Sequence, residues 1–295
     1  MQKITKTVLA CGGWSTRFLP TTKVIAKQLV PILDKPQIQY IFEECLNAGI
    51  EEFCIVHRVG ETSLQSFFQP NSELTKYLAD NNKSKYMDQY NLMLSRIKKL
   101  EFLAQTDEFP YGNGTPILVA KDFIGQDNFL YLFADDLLIE NQAGTFTSRI
   151  IDTFNQYNPE VIIGCQQVAH NEVYKYGIVD YKKDSQIPNE LQSIVEKPAV
   201  EDSPSDFADF GRICLTPKII EILQTTATDR GELWIVDAIK TTIKQGKLVI
   251  GLPTINPETW ITTGDPLNWL KANIVIALSD PKYSNDIKDF IKNLK

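Results

Sequence analysis

The stretch VLACGGWSTRFLPTTKVIAKQLVPILDKPQIQY, Val8 to Tyr40, decides how the rest of the chain is read. It begins as an apolar strand, breaks at Gly12 and Gly13, and brings Arg17, Lys23 and Lys27 into one loop before an amphipathic segment begins. Ile38, Ile41, Phe42, Cys45 and Leu46 recur at helical spacing, Gly49 supplies a stop, and FCIV reads as the next buried strand. Strand, helix and strand form a βαβ unit, and in sheets of such units ligands bind beyond the carboxyl ends of the strands. Positive charge there, beside two glycines whose amides a ligand can approach closely, predicts an anion.

The alternation continues outward from this unit. A polar, helix-prone stretch runs from Ser72 to Leu100, followed by the strand EFLAQ, a glycine loop from Tyr111 to Thr115, a short helix from Pro116, and the strand FLYLF leading into Asp135 and Asp136. A helix near Phe146 to Tyr157 and the strand VIIGCQQV come next. YGIVDY, LQSIVEKP and DFGRICLTP lack long helices between them and predict an antiparallel excursion. Helices at Lys218 to Leu223 and Glu232 to Gln245, a strand at Lys247 to Leu252, and a helical region after Pro266 close the chain. The expected class is α/β: a Rossmann-like, mixed but mostly parallel sheet with helices on both faces.

Composition narrows the function. The 295 residues carry a net charge of −7, which argues against a nucleic-acid partner because that footprint is basic. No apolar run approaches the roughly 20 residues of a membrane span, and MQKITKTVLACGG reads as a strand cut short by Gly-Gly, so a cytoplasmic protein without a membrane partner is expected. Cys11, Cys45, Cys54, Cys165 and Cys214 are widely spaced in apolar surroundings and read as buried free thiols. His57 and His170 form no zinc spacing with them.

The anion site must therefore be local. Arg17 offers a two-pronged fork for phosphate, and Lys23 and Lys27, four apart, are expected on one side of a helical turn as added point charges. This set suits a polyphosphate, although the spacing of a P-loop is missing. Asp135 and Asp136 end an apolar strand, where a carboxylate is costly unless it meets solvent, a cation or a hydroxyl. Magnesium held by one or two carboxylates plus substrate phosphates fits that position, and a turn-capping Asp pair is the other reading. Glu196 and Lys197 end a further strand; taken alone they are a surface ion pair.

Taken together, these stretches resemble the sugar-nucleotide pyrophosphorylases, on the side of the family that joins UTP to glucose 1-phosphate. The family pattern is roughly A-G-x-G-T-R-x-L-P-x-T-K-x-x-P-K-E-x-L-P-x-x-D-K-P-x-I-Q-Y. Gly12-Gly13-Trp14-Ser15-Thr16-Arg17, Leu19-Pro20, Thr22-Lys23, Lys27, Pro31, Asp34-Lys35-Pro36 and Ile38-Gln39-Tyr40 match it. Further echoes are Gln105 with Gly112-Asn113-Gly114, Asp135-Asp136, Tyr176-Gly177, Val195-Glu196-Lys197-Pro198, Gly211-Arg212, Gly231-Glu232-Leu233 and Gly264-Asp265-Pro266-Leu267.

The resemblance implies a nucleotide-diphospho-sugar transferase fold with a small antiparallel sugar-binding excursion. It implies one domain over 1–295, with a nucleotide-binding half (1–140), a sugar-binding half (141–265) and a C-terminal helical region (266–295). It implies a reaction of UTP with glucose 1-phosphate, or a related sugar 1-phosphate, giving a UDP-sugar and pyrophosphate, with Mg2+ as cofactor and a homo-oligomer, dimer or tetramer, as the assembly. Carried onto this chain, Gly12, Gly13, Gln105 and Gly112 bind the uracil, and Gln28 meets ribose or base. Arg17 and Lys27 hold the β- and γ-phosphates. Asp135 holds the magnesium, with Asp136 as a second ligand. Gly177 and Glu196 meet the sugar, and Lys197 its phosphate.

Four positions depart from the pattern. Ser15 stands at the second glycine, Gln28 at the carboxylate of P-K-E, and Gly112-Asn113-Gly114-Thr115-Pro116 at the G-L-G-H-A loop. Thr262 stands where the family has an aspartate near the metal. These departures leave a second class open, a catalytically impaired paralogue that binds nucleotide or nucleotide sugar and modulates an active relative.

Overall fold

The computed structural model describes residues 3–228 and 231–294. Its strands, in chain order, are β1 (Lys6–Cys11), β2 (Pro31–Ile32), β3 (Lys35–Pro36), β4 (Glu52–Arg58), β5 (Lys99–Gln105), β6 (Phe129–Phe133) and β7 (Asp136–Ile139). They continue with β8 (Val161–Gln167), β9 (Gly177–Tyr181), β10 (Leu191–Glu196), β11 (Phe207–Leu215), β12 (Val249–Pro253) and β13 (Thr259–Thr262).

Among the described residues, the central sheet has nine strands in the order β10-β9-β11-β6-β1-β4-β5, and β8, with β12 beyond it, branches from β11. β1 pairs in parallel with β4 and β6, β4 with β5, and β8 with β12. β11 is antiparallel to β6, β8 and β9, and β10 is antiparallel to β9. Only β10 and β11 thus run against the others, which is the mixed, mostly parallel sheet with its antiparallel excursion.

Alternation along the central strands explains the layers. Val8, Cys54, Val56, Phe129 and Tyr131 point to one face, while Leu9, Phe53, Ile55, Leu130 and Leu132 point to the other. The helices Gln37–Asn47 and Thr145–Tyr157 cover the second face through Ile41, Phe42, Ile150 and Phe154. The helices Ile219–Thr225 and Ile235–Lys244 cover the first. Both faces of the strands are therefore apolar, and polar residues are displaced to the strand ends. All five cysteines are buried and free, as expected.

Two details differ from the sequence reading. The stretch from Ser72 is broken into helices Ser72–Asp80 and Asp88–Ser95, separated by a left-handed Asn82 (φ 54°), and Leu100 already belongs to β5. Lys23 and Lys27 do not share a helical turn. They lie in separate one-turn 3-10 segments, Thr21–Lys23 and Lys27–Leu29, with Lys23 exposed and Lys27 buried.

Candidate active site

At the carboxyl end of β1 the chain turns sharply. Ser15 adopts φ 53°, ψ 38°, a left-handed conformation that costs a residue with a β-carbon about 1–2 kcal/mol. The turn is held by Thr22, whose hydroxyl donates to Ser15 O at 2.9 Å. It carries Arg17 toward Gly264: a β-carbon built on Gly264 would lie 3.1 Å from Asp135 Oδ2, 3.3 Å from Thr262 Oγ1 and 3.5 Å from Arg17 Nη2. Residues from three sequence-distant segments thus meet at one point, at the edge of a cavity of about 590 Å³.

Lys27 reaches the same point from another side, its Nζ 2.5 Å from Asp135 Oδ2. Loss of water contact opposes charge on Asp135, but the Lys27 ammonium, with Arg17 beyond it, holds the carboxyl below its usual range. Thr263 fixes the same residue by its backbone, donating N–H to Asp135 O at 2.7 Å.

Asp136 is placed differently. It opens β7, pairs in register with Thr262 on β13, and is 5% exposed. Its Oδ2 accepts from Gly211 N at 2.8 Å, and that amide is free to donate because β11 bulges against β8 between Phe210 and Ile213. Burial, and then the charge of Asp135, push the Asp136 carboxyl up to about 6. Behind it, Arg212 makes a two-pronged buried ion pair with Glu44 (2.7 and 2.8 Å) and donates to Asp136 O at 2.8 Å. Asp136 is therefore tied into a brace under the strand tip, whereas Asp135 is partly exposed and paired with Lys27 at the cavity's edge.

A second cavity of about 220 Å³ adjoins the first and is lined by Gly12, Gly13, Gln105, Gly112, Tyr111 and Trp234. Gln105 ends β5 and packs over Gly12, where an added β-carbon would stand 2.9 Å from its Oε1. Gly112 has φ 137° and lies against the Leu233 backbone, so no other residue fits. Leu233 N donates to Tyr111 O at 2.7 Å and Gly114 N to Leu233 O at 2.8 Å, which fastens the loop after β5 to the segment carrying Trp234. The altered loop residue Asn113 belongs to this fastening, since its Oδ1 accepts from Ile235 N at 2.9 Å. Gln28 is buried beneath the β1 loop, apart from this cavity.

Gly177, Glu196 and Lys197 meet at the antiparallel excursion. Lys197 is left-handed (φ 46°), and its Nζ lies 3.2 Å from Glu196 Oε1 and 5.1 Å from the centre of the Trp234 ring. Strain of this kind concentrates where geometry serves a ligand. A β-carbon on Gly177 would collide with Asp209 Oδ1 and stand 3.2 Å from Glu196 Oε2, so two carboxyls converge on this glycine. Loss of water contact first, and Glu196 second, push Asp209 well above the usual carboxylate range. Sequence reasoning missed Asp209, although an acid inside the apolar run FADFGRICL was a signal. It also missed Tyr111 and Trp234, which carry no charge signature.

A cationic cavity at the strand ends, a glycine-lined pocket beside it and two converging carboxyls together have the chemistry of a nucleotide-handling transferase. A nucleotidyl transferase family model matches residues 6–277, and the chain belongs to that family. UTP–glucose-1-phosphate uridylyltransferase of Streptococcus pneumoniae serotype 4 is 34% identical over 299 residues, covering 99% of this chain and 96% of that protein. Among solved structures, a UTP-bound UGPase from Acinetobacter baumannii aligns with a TM-score of 0.87 at 30% identity, over 99% of this chain and 100% of the other. A UDP-glucose pyrophosphorylase complexed with UDP-glucose aligns with a TM-score of 0.81 at 29% identity, over 94% of this chain and 100% of the other. The resemblance carried by the motifs thus extends over the full length.

Proposed function

We propose that this chain joins UTP and glucose 1-phosphate, or a related sugar 1-phosphate, into a UDP-sugar with release of pyrophosphate. The observation that carries this reading is that Arg17 and Lys27 line one cavity, with Asp135 paired to Lys27 at its edge, beside the adjoining pocket of Gly12, Gln105 and Gly112. In this reading the residues up to about 140 bind the nucleotide and the following segment binds the sugar. A phosphate oxygen of the sugar phosphate attacks the α-phosphorus, and the bond from that phosphorus to the oxygen bridging to the β-phosphorus breaks. Arg17 and Lys27 neutralise the β- and γ-phosphates as charge accumulates on the leaving half. Lys197 holds the sugar phosphate, while Glu196 and Asp209 accept hydrogen bonds from sugar hydroxyls. Positioning and charge neutralisation suffice, so no protein nucleophile is needed.

Magnesium fits the donor set. No group of three or more His, Cys, Asp or Glu forms a cage among the described residues, and a single carboxylate, Asp135, with the Thr262 hydroxyl nearby suits an ion that takes its remaining ligands from phosphate and water. When bound there, the ion would neutralise phosphate charge opposite Arg17. Lys27 pairs with one oxygen of Asp135, and passage of the ammonium to phosphate would free that oxygen for the ion.

Thr262 favours the second reading, an impaired paralogue, because the hydroxyl beside Asp135 supplies no charge. Pyrophosphate release from UTP and glucose 1-phosphate with magnesium decides between them: turnover supports the transferase. UDP-glucose binding without turnover, unchanged in Thr262→Asp, supports the paralogue. A homo-oligomer, dimer or tetramer, is supported by exposed Leu267, Leu270 and Ile274 on Pro266–Ser279 and Phe290 on Ser284–Asn293. No helix among the described residues is long and apolar enough to cross a membrane, in keeping with cytoplasmic work.

A further inference from the structure

Among the described residues at this sheet edge, Arg58 is a cation to which the reaction as derived gives no task. Arg58 closes β4, the strand between β1 and β5, and both neighbours place nucleotide-facing residues at this same sheet edge, Gly12 and Gly13 after β1 and Gln105 on β5. Arg58 and Gln105 are register partners, so their side chains leave the sheet on one face. Gln105 turns to Gly12, and Arg58 reaches the β1 loop instead: its guanidinium carbon lies 5.0 Å from the centre of the Trp14 ring. That indole is 65% exposed and stands at the lip of the phosphate cavity.

Arg58 also shares the narrow space beneath the loop with Ser15, Lys27 and Gln28. The acid lining that space, Glu61, is already engaged, its Oε1 accepting from Ser63 Oγ at 2.7 Å and Leu64 N at 3.0 Å. Among the described residues no carboxylate forms an ion pair with Arg58, although the chain is acidic overall. A guanidinium that lacks a carboxylate and is steadied on an aromatic face remains available as a planar fork for phosphate.

The sheet order says which phosphate. Glu196, Lys197 and Asp209 lie at β10 and β11, on one side of β1, and Arg58 lies on the other. In-line displacement sends the leaving group away from the attacking sugar phosphate, toward the β4 side. We propose that Arg58, steadied by Trp14, binds the terminal phosphates of the nucleoside triphosphate and hence the departing pyrophosphate. This rests on the transferase reading above, with Arg17 and Lys27 acting from the loop after β1 beside Asp135.

The test is calorimetric titration of the full chain with UTP, UMP and pyrophosphate, each with magnesium, for wild type, Arg58→Ala, Arg58→Lys and Trp14→Ala. Arg58→Ala is expected to weaken UTP and pyrophosphate about tenfold or more while leaving UMP unchanged. Arg58→Lys, which keeps charge but loses the fork, falls between and carries the comparison should Arg58→Ala fail to fold. Trp14→Ala follows in the same direction with a smaller loss. Unchanged UTP and pyrophosphate affinities in Arg58→Ala would overturn the inference. So would a parallel loss of UMP, which would make Arg58 a prop for the loop. A wild-type chain that binds neither UTP nor UMP would instead overturn the transferase reading itself.

Discussion

Asp135, paired with Lys27, and Asp209, set against Gly177 and Glu196, have surroundings that drive them in opposite directions. Asp135 has an ammonium at 2.5 Å and a guanidinium close by, and its carboxyl is held low. Asp209 has another carboxyl as its near neighbour and is pushed up. Both lose water, so desolvation does not separate them; the sign of the adjacent charge does. On the proposed reading, the charged Lys27–Asp135 pair is the end that a metal and a polyphosphate would enter by exchange. The end proposed for the sugar instead sets Asp209 against Glu196, with no cation as the leading neighbour of Asp209.

The largest expected effect breaks the phosphate end. Lys27→Met removes the cation that faces both Asp135 and the leaving phosphates, and kcat/KM for pyrophosphate release should fall by about 10²–10³, as for loss of one charge-stabilising donor. The KM for glucose 1-phosphate should change little, because Glu196, Lys197 and Asp209 are untouched. A loss that came only from a raised KM for glucose 1-phosphate would dissolve the distinction between the ends.

A smaller effect breaks the sugar end. Asp209→Ala should raise the KM for glucose 1-phosphate by about tenfold, the loss of one or two hydrogen bonds to hydroxyls, with UTP binding by titration unaltered. If UTP weakens equally, Asp209 acts through the shared wall of Trp234 and Lys197, and the two ends are one unit.

How much of this was legible in sequence follows from where the chemistry sits. Gly12, Gln105, Asp135, Glu196 and Lys197 lie at or just beyond strand ends, with Arg17 and Lys27 in the loop after β1, and such polar residues stand out against apolar runs. The structure gathers them, with Gln28 set apart under the loop. The four-residue β13 was not legible, because its pairing with β7 is decided by tertiary register, and that pairing separates Asp136 from Asp135. Ser15 departs from glycine in sequence yet keeps the left-handed turn, because the Thr22 hydroxyl ties down its carbonyl. Asp209 hides inside a strand whose other residues are core, and only the approach of Gly177 reveals which way it faces.

The smallest effect sharpens the comparison outside both ends. Glu140 lies just beyond β7 and binds the start of helix Thr145–Tyr157, accepting from Phe146 N at 2.7 Å and Gly144 N at 3.2 Å. Burial, and then the charge of Glu44, push its carboxyl from 4.5 up to about 7, the behaviour of Asp209 rather than that of Asp135. Between these values the folded chain holds more proton than the unfolded one, so Glu140 makes stability fall as pH rises from 4.5 through 7. Partial exposure reduces the effect to about 1–2 kcal/mol, a few degrees in Tm for a chain of this size. Glu140→Gln cannot ionise, so its Tm relative to wild type should climb between about pH 5 and pH 7.5 in thermal melts. A difference that stays flat, or that reverses, would mean that Glu140 is charged in the folded chain. Proximity of acids would then not raise a carboxyl here, and the contrast between Asp135 and Asp209 would need a cause other than neighbouring charge.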